Sequence, residues 1–252
     1  MQFDAIISIA REAGAKIMEV YNGPGFGQTV DWKSDNSPLT QADRIAHEVI
    51  EDMLIREYPD IPLLSEEGAD IDYALRKNWE RFWLVDPLDG TREFINRRDE
   101  FTVNIALVES GFPVFGLIHA PAGQTTYLGD IKAGRALRLS AEGETALKVG
   151  GRSTGRVAVR SRSHASDEEE AVLGRYGVRE FTSIGSALKF CLVAEGRADL
   201  YYRHGPTMEW DTAAGQAIVE AAGGKVLQMP SEERFVYNKE NLRNGSFLVL
   251  GF

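Results

Sequence analysis

Two carboxylates three residues apart, Asp86 and Asp89, stand where an apolar strand runs into a turn: Trp83-Leu84-Val85-Asp86-Pro87-Leu88-Asp89-Gly90-Thr91. Around a tight turn, acids at this spacing can converge on one point, and a carbonyl such as that of Leu88 can face the same point. Hard oxygen donors in that arrangement suit Mg²⁺, which prefers carboxylates, waters and substrate oxygens. Gly90 lets backbone approach a ligand closely, and Thr91 can open a helix whose free N–H groups face an anion. The competing account is a plain surface turn, since Pro, Asp and Gly are common turn formers. A turn alone, however, gains nothing from a second acid after a fully apolar strand.

Two further acidic sites stand apart from this one. Leu63-Leu64-Ser65-Glu66-Glu67-Gly68 ends an apolar run with adjacent like charges, which cost energy unless a cation lies between them or one faces water. Asp211, in Met208-Glu209-Trp210-Asp211-Thr212-Ala213-Ala214-Gly215, precedes a small-residue helix and can be its N-cap. A capping Asp still has an oxygen left for a metal. Other chemistries lack their motifs: there is no HExxH or CxxC. The lone Cys191 lies on an apolar helix face and reads as core. His47 and His119 have no ligand-spaced partners and read as structural.

The charge balance constrains these acids. With 28 basic and 38 acidic residues the net charge is −10, which argues against binding a nucleic-acid polymer. The same surplus would repel a small phosphorylated substrate, so an acidic site accepts phosphate only if bound cations reverse the local sign. The 252 residues, 43% hydrophobic and 26% charged, can bury a sizeable core. No apolar run nears the roughly 20 residues of a membrane span, and the N-terminal stretch lacks the features of a signal peptide. With one cysteine, no intramolecular disulfide can form. A cytoplasmic protein is expected.

The elements that must position the acids follow from periodicity. Residues 2–21 predict an amphipathic helix, with Phe3, Ile6, Ala10, Ala13, Ile17 and Tyr21 three or four apart. A turn-rich stretch follows, with room only for short strands. A second helix starts near Thr40, with Thr40 and Asp43 at capping-box spacing and Ile45, Val49 and Met53 on one face, and it ends at Tyr58-Pro59-Asp60. Strands are predicted at 62–65, 82–86, 102–109 and 112–120, the last two joined by a Ser110-Gly111 hairpin turn, and residues 121–124 turn the chain into 125–130. From about 156 the pattern becomes alternating: strand RVAVRS, a helix opened by Ser166, a helix over GSALKFCLVAE closed by Gly196, strand ADLYY, helix DTAAGQAIVEAA closed by Gly223-Gly224, and strand KVLQM. The expected fold is α/β, a layered sandwich of two sheets with helices between and outside. An α+β half (about 1–140) and an α/β half (about 141–252) are expected to form one catalytic unit.

SEE, WLVDPLDGTREF and WDTAAG, in this order, resemble the metal-site signature of the inositol-monophosphatase superfamily, and the similarity runs nearly end to end. KSDNSPLTQAD (33–43), REFINRRDEFTVNIALVE and GSALKFCLVAEGRADLY (185–201) look like its CysQ-type bisphosphate-nucleotidase branch. The resemblance implies the αβαβα sandwich of the inositol-monophosphatase and fructose-bisphosphatase type, with the active site between the halves. It implies that Glu66, Asp86 and the Leu88 carbonyl hold one Mg²⁺ and Asp86, Asp89 and Asp211 a second, with room for a third near Glu66. Thr91 would orient the nucleophilic water and touch phosphate, and Gly90 would contact the substrate. Asp35 resembles the general-base aspartate, and Thr40 lies at the spacing of its relay partner, with N-cap duty as the alternative.

For the nucleotide, Ser186, Lys189, Arg203 and His164 are the candidates, each weighed against simple surface solvation. The lysine of GSALK matters because a bisphosphate substrate carries a second phosphate needing a positive partner. The implied reaction converts adenosine 3′,5′-bisphosphate, or its sulfated analogue, to the 5′-nucleotide plus phosphate, with Li⁺ sensitivity. Alternatives are an inositol-1-phosphate or broad sugar-phosphate phosphatase and, from another class, a non-catalytic nucleotide or metal sensor. A monomer or homodimer fits equally. Peripheral attachment to the inner face of the cell membrane occurs in this branch, though no residue here indicates it.

Overall fold

The computed structural model describes residues 3–24, 30–32, 38–161 and 167–252. Helix α1 (Phe3–Asn22) buries Ile6, Ala10, Ala13, Ile17 and Tyr21 of the predicted stripe together with Ile9, and the Phe3 side chain lies outside the described residues. Two short strands, β1 (Val30–Trp32) and β2 (Pro38–Thr40), pair before α2 (Gln41–Glu57). Thr40 and Asp43 form the capping box of α2, and Tyr58 ends it. The buried face of α2 is rotated by one residue from the predicted one. Ala42, Ala46, Ile50 and Leu54 are fully buried, and Val49 and Met53 only flank them. Two alanines were too small to register as a hydrophobic stripe, yet they allow α2 to lie close against its neighbours.

The next strands form one seven-stranded sheet. They are β3 (Leu63–Ser65), β4 (Arg81–Asp89), β5 (Thr102–Glu109), β6 (Phe112–Ala120), β7 (Thr125–Asp130), β8 (Arg135–Ser140) and β9 (Gly143–Ala146), in that spatial order. Short helices α3 (Tyr73–Arg76) and α4 (Thr91–Ile95) interrupt the run. All pairings are antiparallel except β3 with β4. At the β5–β6 hairpin Ser110 and Gly111 both have positive φ, 50° and 80°, the backbone of a type I′ turn. Strands β8 and β9 were not predicted. β9 is the edge strand and all its residues are exposed, while β8 beside it buries only Ala136 and Leu137, so their apolar alternation is weak.

The second sheet is built from β10 (Arg156–Arg160), β11 (Val178–Ser183), β12 (Leu200–Arg203), β14 (Lys225–Gln228), β15 (Glu233–Arg234) and β17 (Phe247–Leu250), in the order β11-β10-β12-β17-β14-β15. A minor pair, β13 (Thr207–Met208) with β16 (Arg243–Asn244), stands beside it. Helices α5 (Asp167–Arg175), α6 (Leu188–Ala194) and α7 (Ala213–Ala221) complete this half. Strands β11 and β17 were missing from the sequence reading. β11 is largely exposed, with little pattern to show. β17 lies in the middle of the sheet as a short, fully buried run, Phe247-Leu248-Val249-Leu250, which periodicity alone does not assign. Ser166, the predicted opener of α5, lies outside the described residues.

Three buried clusters define the layers. The first packs α1 and α2 on one face of the large sheet, through Trp83, Val85, Val103 and Ile105. The second joins the other face, through Phe82, Leu84, Ala106 and Ile118, to α6, α7 and the inner face of the second sheet. The third packs Val172 and Leu173 of α5 on the outer face of that sheet. The order is therefore α, β, α, β, α. Helix α7 lies directly on the large sheet because β6 and β7 place glycines beneath it. A Cβ on Gly129 would stand 2.6 Å from the Cα of Ile218, and one on Gly116 would collide with the Ala214 carbonyl. Among the described residues no helix is long and apolar enough to cross a membrane.

His119 on β6 is buried, and its Nδ1 lies 2.9 Å from the Thr126 hydroxyl on β7. Burial, aided by the charge of Arg11, lowers its pKa from 6.5 to about 4. The unfolded chain therefore binds the proton first as pH falls, and stability declines between about 6.5 and 4. The unfolding free energy of wild type relative to His119→Gln should fall across this window, by on the order of 3 kcal/mol in total. Parallel pH profiles for the two proteins would refute it.

Candidate active site

The period of two along β4 decides where its acid points. Trp83 and Val85 enter the layer of α1 and α2, while Phe82 and Leu84 face α6 and α7. Asp86 continues the second series, towards the segment that carries Asp211. It is almost fully buried, and its Oδ1 accepts the Leu88 N–H at 3.0 Å. Strand β3 runs parallel to β4 with Ser65 opposite Val85. Glu66, the next residue and the first of a 3₁₀ turn (Glu66–Gly68), is thereby brought beside Asp86.

A bulge brings Asp89 back to the site. Against β5, Asp86 pairs with Asn104 and Asp89 with Thr102, so three steps on β4 match two on β5. Asp89 Oδ2 accepts the Ala187 N–H at 2.5 Å and the Asn104 amide at 3.4 Å. Gly90, at φ 90°, ends the turn and precedes Thr91, which opens α4 as expected. A Cβ at Gly90 would lie 3.0 Å from the Glu100 carbonyl and 3.1 Å from Ser186 Cβ.

Asp211 ends a separate 3₁₀ turn (Glu209–Asp211), and its Oδ2 accepts the Met208 N–H at 2.8 Å. It caps this turn and not α7, whose N-cap position is Thr212. The fully buried Glu209 holds the turn in place: Oε1 accepts the Lys239 N–H and ammonium at 2.9 and 2.6 Å, and Oε2 the Asn238 N–H at 2.7 Å.

These acids repel one another. Burial, then Glu66, Asp89, Asp211 and Asp43, push the Asp86 pKa well above the usual carboxylate value of 3.8. Asp211 is pushed well up by burial, Asp89 and Glu66. Asp89 is raised by burial but restrained by Lys189, the Ala187 N–H and Asn104. Like charges in low dielectric are stable only with a cation or a shared proton between them. The donors are all oxygens, and Asp86 lies at their centre, so the residues fit a hard divalent cation. Among the described residues no three acids, histidines or cysteines form a ready-made metal shell. Mg²⁺ tolerates such a site because water and phosphate oxygens complete its coordination.

A chain of hydroxyls and a carboxylate leads away from Asp86. The Thr91 hydroxyl lies 3.3 Å from the Leu88 carbonyl and 3.4 Å from Asp43 Oδ1. Asp43 Oδ2 accepts both the Thr40 N–H and its hydroxyl, at 2.7 and 2.5 Å. Thr40 therefore does cap α2, and its hydroxyl is committed to Asp43. Asp35, with which Thr40 was expected to act, lies outside the described residues. Sequence reasoning saw Asp43 only as a capping-box partner. Its spacing from Thr40 explains one carboxylate oxygen, and nothing local to it shows that the other faces Thr91.

Beside the acids lies a cleft of about 380 Å³, lined by Asp89, Gly90, Glu93, Ser186, Lys189, Tyr201, Arg203 and Asp211 among others. Helix α6 begins at Leu188, not at Gly185-Ser186, so Lys189 stands in its first turn. The residues before it form a turn in which Ser186 has φ 49°. The buried Lys189 ammonium donates to the Ser186 carbonyl at 2.6 Å and lies 3.5 Å from that of Ile184. Burial lowers its pKa, and Asp89 is the strongest influence opposing this. Arg203, at the end of β12, has a buried Nε with no hydrogen-bond partner among the described residues. His164 lies outside the described residues. Asn104, Glu93 and Glu100 at this site were not anticipated. Asn104 sits in an apolar strand and could have been flagged as a polar exception there.

Asp86 costs the metal-free fold stability near neutral pH. Its folded pKa is raised, so stability falls as pH rises above the unfolded value of about 3.8. Asp86→Asn keeps an acceptor for the Leu88 N–H and removes the charge. In EDTA it should raise the thermal midpoint, by about 2–4 °C per kcal/mol gained, while stabilisation by added Mg²⁺ disappears. A lowered midpoint in EDTA, or Mg²⁺ stabilisation equal to wild type, would contradict this placement.

Residues 2–247 match the model of the inositol monophosphatase family. The chain is 45% identical over 246 residues to the 3′(2′),5′-bisphosphate nucleotidase CysQ of Escherichia coli strain K12, covering 98% of each protein. The crystal structure of CysQ from Bacteroides thetaiotaomicron superposes with a TM-score of 0.86 at 42% identity, over 99% of this chain and 97% of that one. An inositol monophosphatase-type structure (IMPase) from Thermotoga maritima matches with a TM-score of 0.80 at 25% identity, over 99% and 92%. With its β4 carboxylates, its layered fold and this end-to-end similarity, the chain belongs to the inositol monophosphatase family.

Proposed function

We propose that this protein is a Mg²⁺-dependent 3′(2′),5′-bisphosphate nucleotidase, removing the 3′-phosphate of adenosine 3′,5′-bisphosphate and of its sulfated analogue. The observation that carries the reading is the two-signed cleft: Asp89 and Asp211 line it together with Lys189 and the unpartnered Arg203 Nε. An anion with two phosphates needs both walls, one through metal and one directly. The name of the CysQ relatives agrees with this substrate.

Glu66, Asp86 and the Leu88 carbonyl would hold one ion, and Asp86, Asp89 and Asp211 a second, with the two halves acting as one catalytic unit. When bound, Mg²⁺ lowers the pKa of a coordinated water and offsets the charge of the phosphoryl oxygens and leaving alkoxide. Thr91 orients the attacking water, and Asp43 fixes the Thr91 hydroxyl by accepting from it. Asp35 is the proposed general base that takes the water proton. Arg203 receives the phosphate that is not cleaved, with Lys189 adding positive charge from the first turn of α6. The Ser186 side chain faces the same cleft.

The test is phosphate release with and without EDTA, comparing adenosine 3′,5′-bisphosphate with inositol 1-phosphate. Preference for the bisphosphate, abolished by EDTA, is expected. Asp89→Asn should lower kcat by orders of magnitude with the fold intact, and Lys189→Ala should lose bisphosphate turnover far more than inositol-phosphate turnover. Preference for inositol phosphate would replace this reading by the alternative phosphatase, and no release from any monoester would favour a sensor.

A further inference from the structure

We infer that Glu100 is a positioning residue that sets the affinity of the cleft for the nucleotide part of the substrate, without touching substrate itself. The inference rests on the proposed phosphatase reading and extends it to a residue outside the acid signature.

Glu100 lies between the two turns that form the site. Its backbone carbonyl is what a Cβ on Gly90 would meet at 3.0 Å, where the metal-site turn ends. Its side-chain Oε2 accepts the Gly185 N–H at 2.8 Å, where the cleft turn begins. Gly185 is enclosed from the same side: a Cβ there would stand 2.7 Å from Glu93 Cγ and 3.1 Å from Glu100 Cβ. Only glycine allows the backbone so close to the two acids.

The turn needs such an anchor. Ser186 is held at φ 49°, a left-handed conformation that a serine adopts only when its surroundings impose it. Three hydrogen bonds impose it. Glu100 holds Gly185, Asp89 Oδ2 holds the Ala187 N–H at 2.5 Å, and the Lys189 ammonium holds the Ser186 carbonyl at 2.6 Å. Asp89 and Lys189 have other duties in the proposed site, as metal ligand and as cleft cation. Glu100 has its hydrogen bond to this turn without lining the cleft. Its loss should release Gly185, relax Ser186 and blur the cleft wall, while the carboxylates on β4 keep their strand.

Glu100→Ala and Glu100→Gln separate this role from general structural damage, since glutamine keeps an acceptor for the Gly185 N–H. Steady-state kinetics with adenosine 3′,5′-bisphosphate and with p-nitrophenyl phosphate, plus thermal midpoints, are to be measured for both variants and wild type. The expected result for Glu100→Ala is a rise of about tenfold in KM for the bisphosphate, with kcat within about twofold and KM for the small ester nearly unchanged. Glu100→Gln should stay close to wild type, and the midpoints should stay within a few degrees. The inference is overturned if Glu100→Ala leaves the bisphosphate KM unchanged, if it lowers kcat on both esters alike, or if glutamine fails as badly as alanine. Should wild type fail to hydrolyse the bisphosphate, the functional reading falls instead, and the same KM-to-kcat split is read on the largest phosphomonoester it does hydrolyse against p-nitrophenyl phosphate.

Discussion

Mutual repulsion among buried carboxylates is the constraint around which this fold is arranged. Asp86 is almost fully buried, and its leading charged neighbours are all acids. In isolation such a cluster would take up protons or drive its members apart. The scaffold prevents separation by fixing the members on three rigid segments: Glu66 after β3, Asp86 and Asp89 on β4, and Asp211 on a turn held by the buried Glu209. Stability is given up at the centre and recovered in the apolar layers on either side, a familiar division at functional sites.

The layers serve that arrangement directly. Helix α7 follows Asp211, and it approaches the large sheet closely because Gly116 and Gly129 lack side chains. Phe190 of α6 fills the space beside Gly215 on α7, so the two helices of the middle layer interlock. The carboxylate contributed by the second half is thus brought to those of the first by backbone-to-backbone packing. Electrostatic attraction could not do this, since the groups share a sign.

The cleft and the acid cluster are not independent parts. One oxygen of Asp89 accepts the Ala187 N–H of the turn that lines the cleft, and the ammonium of Lys189 braces the same turn while moderating the Asp89 pKa. Hydrogen bonds to a carboxylate are among the stronger ones in proteins, and they fix direction as well as distance. The wall of the cleft and the organisation of the acids therefore meet in one short segment, Ile184 to Lys189, which is neither strand nor helix at its centre.

Much of this was legible in the chain itself. The acids at 66, 86, 89 and 211 follow strong local patterns, and strands 102–109, 112–120 and 125–130 and the stripe of α1 come from periodicity that short-range physics enforces. Edge and pattern-poor strands such as β9 and β11 were not legible, because exposed residues carry no apolar alternation. Nor was β17, since a short run buried on both faces has no period to read. Only tertiary structure decided that α2 buries its alanines, that Asp211 caps its own 3₁₀ turn, and that Asp43 and Glu100 join the site. Each of these depends on what an element from elsewhere in the chain places opposite the residue, and sequence spacing carries no information about that neighbour.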